Sequence, residues 1–356
     1  MSNNLIYMPT FRGRQQEMIV LRSFNFGDRM FPLIEIFKEK DRSNNQHTFK
    51  EIYGGIISEI KSEKVFVDLP TYIRDTSGMQ KEVVSFNRTV LSNLENRLSH
   101  FDLLNANKNK IIPVVSTLQI KTGESNSITK QFENLKKTFQ SVAIRTFTNT
   151  FDMDFSEISK LLTKDDYLIY DINEGVSLTN PVIKIVRSKL DTINLPWKIS
   201  LRSAINTDIQ NVRLNHGEIV YEADNSLLEM FHDQLRFNAF GDYVGIKKDD
   251  LVSGGTISPG FIFYNPVENL YYGFKGDIKN LDEFEKTIVP AVLNSPIIEA
   301  INQSNSDYLN NQNEGWNTLN RINQGETGKS QAKFKKISME HYLHCIKIAI
   351  TSGVIH

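Results

Sequence analysis

Charged residues recur directly after short apolar runs in this chain. Arg12 and Arg14 follow the first run, Glu35 ends the second and Asp68 the third. Ser116 closes the fourth, Arg145 the fifth, Asp171 (with Asn173 beyond it) the sixth, and Arg202 the seventh. Glu222, with Asp224, closes an eighth run, and Asp242 stands shortly after. Arginines supply planar, paired donors that match phosphate or carboxylate oxygens. Glu35, Asp68, Asp171 and Glu222 are hard oxygen donors that would suit a divalent cation, or acid and base work. Together they describe a pocket for an anionic ligand bound by Arg12, Arg14, Arg145, Arg202 and Asp242, with phosphoester hydrolysis as the matching chemistry. The same alternation of sign also describes a ring of arginine–carboxylate ion pairs that closes on itself, because an unpaired buried charge costs several kcal/mol.

The runs that carry these residues are Leu5–Thr10, Met30–Ile36, Lys64–Leu69, Lys110–Ser116, Ser141–Thr146, Asp166–Ile172, Trp197–Arg202 and Glu218–Glu222. They are rich in Val, Ile, Phe and Tyr and mostly continuous, the pattern of strands buried on both faces. Amphipathic helical segments alternate with them. Thr48 with Glu51 three residues on has the spacing of a capping box, and Phe49, Ile52, Ile56 and Ile60 follow helical spacing. Strand–helix alternation predicts a parallel sheet with helical crossovers. Eight such units in this length predict an α/β fold of the (β/α)8 TIM-barrel-like type over residues 1–240, where function sits at the C-terminal strand ends. Residues 241–356 then form a C-terminal α+β extension: a hairpin around Asn265–Asn269, a helix over 281–301, a mobile Asn/Gln-rich segment over 302–336, and a closing helix over 338–350 with Ser338 as its N-cap.

Composition narrows the classes. With 41 basic and 42 acidic residues the net charge is −1, so the chain does not coat nucleic acid or membrane by bulk charge. The only cysteine is Cys345, which excludes an internal disulfide framework and fits a reducing, cytoplasmic setting. The opening residues lack a signal-peptide pattern and no run is long enough for a membrane span. His341 and His344 share helical spacing, as a zinc pair would, but lack further ligands in sequence. Cys345 reads as a small hydrophobe. Gly325-Glu326-Thr327-Gly328-Lys329-Ser330 and Ser253-Gly254-Gly255-Thr256 look like phosphate loops, but the first has its glycines too close together for one. Lys329, Lys333, Lys335 and Lys336 around Phe334 form a small basic stretch that could touch a phosphate backbone, and the rings of Tyr271, Tyr272 and Phe274 could offer a stacking surface.

Three stretches carry a family resemblance. Tyr7-Met8-Pro9-Thr10-Phe11-Arg12-Gly13-Arg14 with Glu17, the Pro32-Leu33-Ile34-Glu35 segment, and Phe240-Gly241-Asp242-Tyr243 with the hairpin after it resemble the "beta protein" family of tailed phages and bacteria. The closing Ser338-Met339-Glu340-His341-Tyr342-Leu343-His344 is similar to the histidine-containing end of such proteins. The resemblance implies a barrel-like fold and a prokaryotic or phage cytosolic setting near phage-defence genes, and supplies no activity. Two functions are expected on these grounds. One is a recognition or scaffold component that acts with a protein partner, a nuclease being one candidate. The other is a metal-dependent phosphoester hydrolase using the rim carboxylates and a divalent cation, with a nucleic-acid-binding barrel as a third reading.

Overall fold

The computed structural model describes residues 4–42, 44–73, 77–116, 124–172, 174, 176–193, 196–248, 251 and 258–356. Eight parallel strands close into a barrel: β1 (Tyr7–Phe11), β2 (Leu33–Glu35), β3 (Val65–Asp68), β4 (Ile111–Ser116), β5 (Ala143–Phe147), β6 (Tyr167–Asp171), β7 (Trp197–Leu201) and β8 (Ala239–Asp242). Each strand pairs with its neighbour in sequence, and β8 closes against β1 through Tyr7↔Phe240, Met8↔Gly241 and Pro9↔Asp242. The α/β barrel expected from the alternation is therefore the fold. The strands are buried along almost their whole length, which is why they read as continuous apolar runs.

Helices α1 (Gln15–Ser23), α2 (Phe49–Glu59), α3 (Lys81–Ser92), α4 (Leu94–Asp102), α5 (Ser127–Lys136), α6 (Phe151–Leu161) and α7 (Pro181–Leu190) make the crossovers. The capping box at α2 forms as read: Glu51 N–H donates to Thr48 Oγ1 at 3.3 Å and Thr48 N–H to Glu51 Oε2 at 2.7 Å. Pro181 opens α7 in the first turn, where its missing N–H is harmless.

The eighth barrel strand is Ala239–Asp242 and not the run at 218–222. The run at 218–222 yields only the two-residue strand Glu218–Ile219, which pairs antiparallel with Gly273 and Tyr272 outside the barrel. The chain divides into two compact units. One holds the chain up to Arg202 with Met230–Asp242, and the other holds Ser203–Glu229 and most of the chain beyond Asp242. The barrel thus ends at Asp242 rather than 240, and residues 203–229 belong with the second unit. The physical reason is shortness. Two strand residues with a half-buried Ile219 and exposed Tyr221 and Glu222 cannot line a closed barrel, whereas Ala239–Asp242 is buried throughout.

The second unit is built on a hairpin, β9 (Gly260–Asn265) with β10 (Leu270–Lys275). The 281–301 segment breaks at Pro296 into α8 (Val289–Leu293), entered from a π-helical turn at Phe284–Ile288, and α9 (Pro296–Ser304). The Asn/Gln-rich segment is not structureless: its asparagines serve as helix caps. Asn313 caps α10 (Glu314–Asn323) and Ser330 caps α11 (Gln331–Thr351), so the closing helix starts well before Ser338. Ser338 instead donates to Ile262 O at 3.0 Å. With Gln331 Nε2 on Gly260 O (3.0 Å) and His341 Nε2 on Tyr264 O (2.8 Å), α11 satisfies alternate outward carbonyls of β9. Side chains thereby cover an edge that would otherwise invite another strand.

Gly241 marks a tight strand contact in the barrel. A Cβ there would lie 2.7 Å from Met8 O and 3.3 Å from Leu201 Cδ1. Overpacking of this kind costs about 1–3 kcal/mol. Gly241→Val is expected to lower the urea midpoint of unfolding accordingly, with an unchanged slope.

Candidate functional site: a buried charge network in the barrel mouth

Arg145, on β5, is the centre of the mouth. Its Nη1 donates to Glu35 Oε1 at 2.7 Å and to Asp68 Oδ2 at 2.9 Å. Its Nε and Nη2 both reach Asp171 Oδ2, at 3.1 and 2.5 Å. The strand register explains the convergence. Glu35 on β2 and Asp68 on β3 are direct neighbours in the ladder, and Asp171 ends β6 beside Phe147 of β5. Adjacent carboxylates repel, and the guanidinium between them offsets that repulsion. Arg145, Glu35 and Asp68 are fully buried and Asp171 nearly so.

Further groups complete the network. Tyr72 donates its hydroxyl to Glu35 Oε1 at 2.7 Å, and its ring lies 4.9 Å from the Arg145 guanidinium carbon. The Phe147 ring lies 5.3 Å from the same carbon. Burial and the Glu35 charge push the Tyr72 phenol far up. Arg12 Nε stands 3.3 Å from Glu35 Oε2, and its guanidinium lies 4.8 Å over the Phe37 ring. Gly13, in the left-handed region at φ +68°, makes the turn between Arg12 and Arg14.

On the far side of Asp68, Arg97 of α4 brings a second fully buried guanidinium, its Nη2 3.5 Å from Asp68 Oδ1. Arg97 also donates to Gln131 Oε1 (2.9 Å), Val114 O (3.2 Å) and Leu69 O. Burial lowers its pKa to about 10, partly opposed by Asp68, which leaves it charged at neutral pH. Ser116 donates to Asp68 Oδ1 at 3.3 Å, and Gln131 Nε2 donates to Ser116 O at 2.7 Å. Burial raises the Asp68 carboxyl and Glu35 adds to that, while Arg145 and Arg97 pull it back down.

The other residues expected at the rim have varied places. Asp242 is buried at the end of β8 and accepts from Tyr7 Oη at 2.6 Å. Arg202 is buried after β7, its backbone N–H on Gly241 O at 3.1 Å. Arg14 caps α1 half-buried, close enough to Lys38 to help lower that amine's pKa after burial has done most of it. Glu222 does not join the site: it is exposed and belongs to the second unit, because its strand is not a barrel strand. Asn173 and Ser253-Gly254-Gly255-Thr256 lie outside the described residues. Arg97, Tyr72 and Gln131 join the network without standing at strand ends. Arg97 does leave a signal in the sequence, since it shares helical spacing with buried His100 and Phe101, an arginine on an apolar stripe.

Among the described residues no group of three or more His, Cys, Asp or Glu side chains is arranged to hold a metal ion. The histidine pair is structural. His341 Nδ1 accepts from Asn313 Nδ2 at 2.9 Å while its Nε2 donates to Tyr264 O, and its ring stacks on Phe263 at 4.2 Å. His344 Nε2 donates to Asp307 O at 2.8 Å. Cys345 is buried 3.7 Å from His341 Nε2, and burial pushes its thiol pKa well up. The Gly-Lys-Ser loop cradles carboxylates of its own chain: Gly328 N–H donates to Glu285 Oε1 at 2.6 Å, and Lys329 Nζ sits 2.7 Å from Asp282. Lys333 and Lys336 pair with Glu326 and Glu340, each at 2.6 Å, and Phe334 is buried. Tyr271 and Phe274 are buried too, which leaves Tyr272 as the half-buried ring of that trio.

A closed parallel barrel whose mouth holds an arginine-centred ion network defines the class: a (β/α)8-barrel protein. The Beta protein family profile matches residues 7–346, and the chain belongs to that family. No curated protein matches the sequence. No helix among the described residues is long and apolar enough to cross a membrane.

Removing one partner of a buried ion network strands the others, at about 3–5 kcal/mol. Arg145→Met is expected to lose that much unfolding free energy by urea denaturation. His341 gives a pH dependence. Burial lowers its pKa to about 4 from the ordinary 6.5, so its contribution is complete above pH 6.5 and is lost as pH falls toward 4. The loss amounts to as much as about 3 kcal/mol. His341→Gln should flatten that part of the stability profile.

Proposed function

We propose that this protein is a recognition or scaffold component of a prokaryotic phage-defence or phage-encoded system, acting with a protein partner rather than as a metal-dependent phosphoesterase. One observation carries the reading. Arg145 occupies the point on which Glu35, Asp68 and Asp171 converge, and takes the acceptor oxygens that a divalent cation would need. A guanidinium at hydrogen-bond distance from three carboxylates cannot share them with a second cation without breaking buried ion pairs. The network therefore fixes the strand ends in place, and recognition falls to the surfaces those ends carry. A phage or bacterial setting, which the family resemblance implies, is the context of this reading. A nuclease is one partner class that would provide the chemistry the mouth does not.

The test is metal binding and hydrolysis by the purified full chain. Mg2+ and Mn2+ are expected to leave the melting temperature unchanged, and bis-p-nitrophenyl phosphate should not turn over above buffer. Saturable Mn2+ stabilisation that disappears in Asp68→Asn, or turnover that does, would overturn the proposal.

A further inference from the structure

The loop that leaves β2 runs from Ile36 past Asp41 at the mouth end of the barrel. Its Phe37 ring lies under the Arg12 guanidinium, which in turn contacts Glu35. Beyond the packing of Phe37, three polar contacts tie described residues of the loop to neighbouring elements. Tyr53 Oη donates to Lys38 O at 2.9 Å, Lys38 Nζ donates to Gln80 Oε1, and His100 Nε2 lies 3.0 Å from Glu39 Oε2.

The third contact is chemically unlike the other two. His100 Nδ1 is 2.7 Å from Asn96 O, one turn back on α4. Both ring nitrogens therefore face acceptors, a backbone carbonyl and a carboxylate. A neutral imidazole has one N–H and can satisfy only one of them, whereas imidazolium satisfies both. The rest of the His100 surroundings are apolar: Phe49 of α2 and Phe86 of α3 pack edge-on at 5.0 and 5.3 Å. The charges that act on the ring are Glu39 on the loop and Arg97 on its own helix.

We propose that His100 and Glu39 form a proton-operated clasp that ties the β2–α2 loop to α4, closed when His100 is protonated and released when it is neutral. Burial opposes charging of the ring, but the bonds to Glu39 and Asn96 outweigh it, and the pKa is raised above 6.5. The clasp is therefore at full strength below pH 6.5 and is lost as pH rises through the raised value. Release removes one tie on the segment that follows Phe37, whose own ring stays packed with Ile73, Val83 and Leu251 beside Arg12.

Hydrogen exchange of the loop amides at 37–42, corrected for intrinsic exchange, tests this together with an NMR titration of His100. Glu39 is half exposed, so Glu39→Gln should leave the fold intact. In the native chain, protection in the loop is expected to fall roughly threefold to tenfold between about pH 6 and about pH 8.5, the scale of a partly exposed ion pair. In Glu39→Gln it should be low already at the acid end and nearly independent of pH, with the His100 titration midpoint moved down. His100→Gln should reproduce the flat profile. Loop protection that ignores pH in the native chain, or the same dependence in Glu39→Gln, would overturn the clasp.

Discussion

A guanidinium with no access to solvent is tolerable only when its charge is matched and its donors are occupied. Arg145 meets both conditions through Glu35, Asp68 and Asp171, residues from three other strands. The dependence runs both ways. Glu35 and Asp68 stand side by side in the ladder and would repel if the arginine were withdrawn. Arg97 and Arg12 extend the same compensation outward, so three buried carboxylates face three guanidiniums at the level where the strands end. Hydrophobic residues of equal volume would hold a barrel at least as firmly. What an ion network adds is directionality: each bond fixes the height and rotation of a strand end relative to its neighbours.

On the reading proposed above, this mouth differs from a hydrolytic one. A metal site needs carboxylate oxygens whose remaining lone pairs point into a common space. Here the same oxygens point at arginine nitrogens. The second unit repeats the principle on a smaller scale. His341, His344 and Cys345, which as sequence suggest metal or nucleophile chemistry, are spent on packing and on hydrogen bonds to backbone carbonyls. The Gly-Lys-Ser loop closes on Glu285 and Asp282 instead of on a phosphate.

Much of this is legible in the sequence because buried parallel strands are continuous apolar runs, and a charge at the end of such a run must be accounted for. Glu35, Asp68, Arg145 and Asp171 stand out on that rule alone. The eighth strand does not, since Glu218–Glu222 and Ala239–Asp242 are both short and apolar, and composition cannot say which one finds a partner in β1 and β7. Once the wrong one is taken, Glu222 is carried to the rim in error. Tyr72 and Gln131 are hidden for a different reason: they reach the network from a loop and a helix, and only packing brings them to Glu35 and Ser116. Arg97 is legible only as an arginine on the buried stripe of α4. The Asn-rich segment misleads because asparagine caps helices as readily as it fills loops.

The central claim is that Arg145 and its carboxylates form one interdependent unit. A double-mutant cycle between Arg145→Met and Asp171→Asn, read by urea unfolding, tests it most directly. The account predicts that each single change is strongly destabilising and that the double variant loses clearly less than the sum. Strictly additive losses, or a gain in stability on replacing Arg145 alone, would contradict it and point back to a mouth held strained for chemistry.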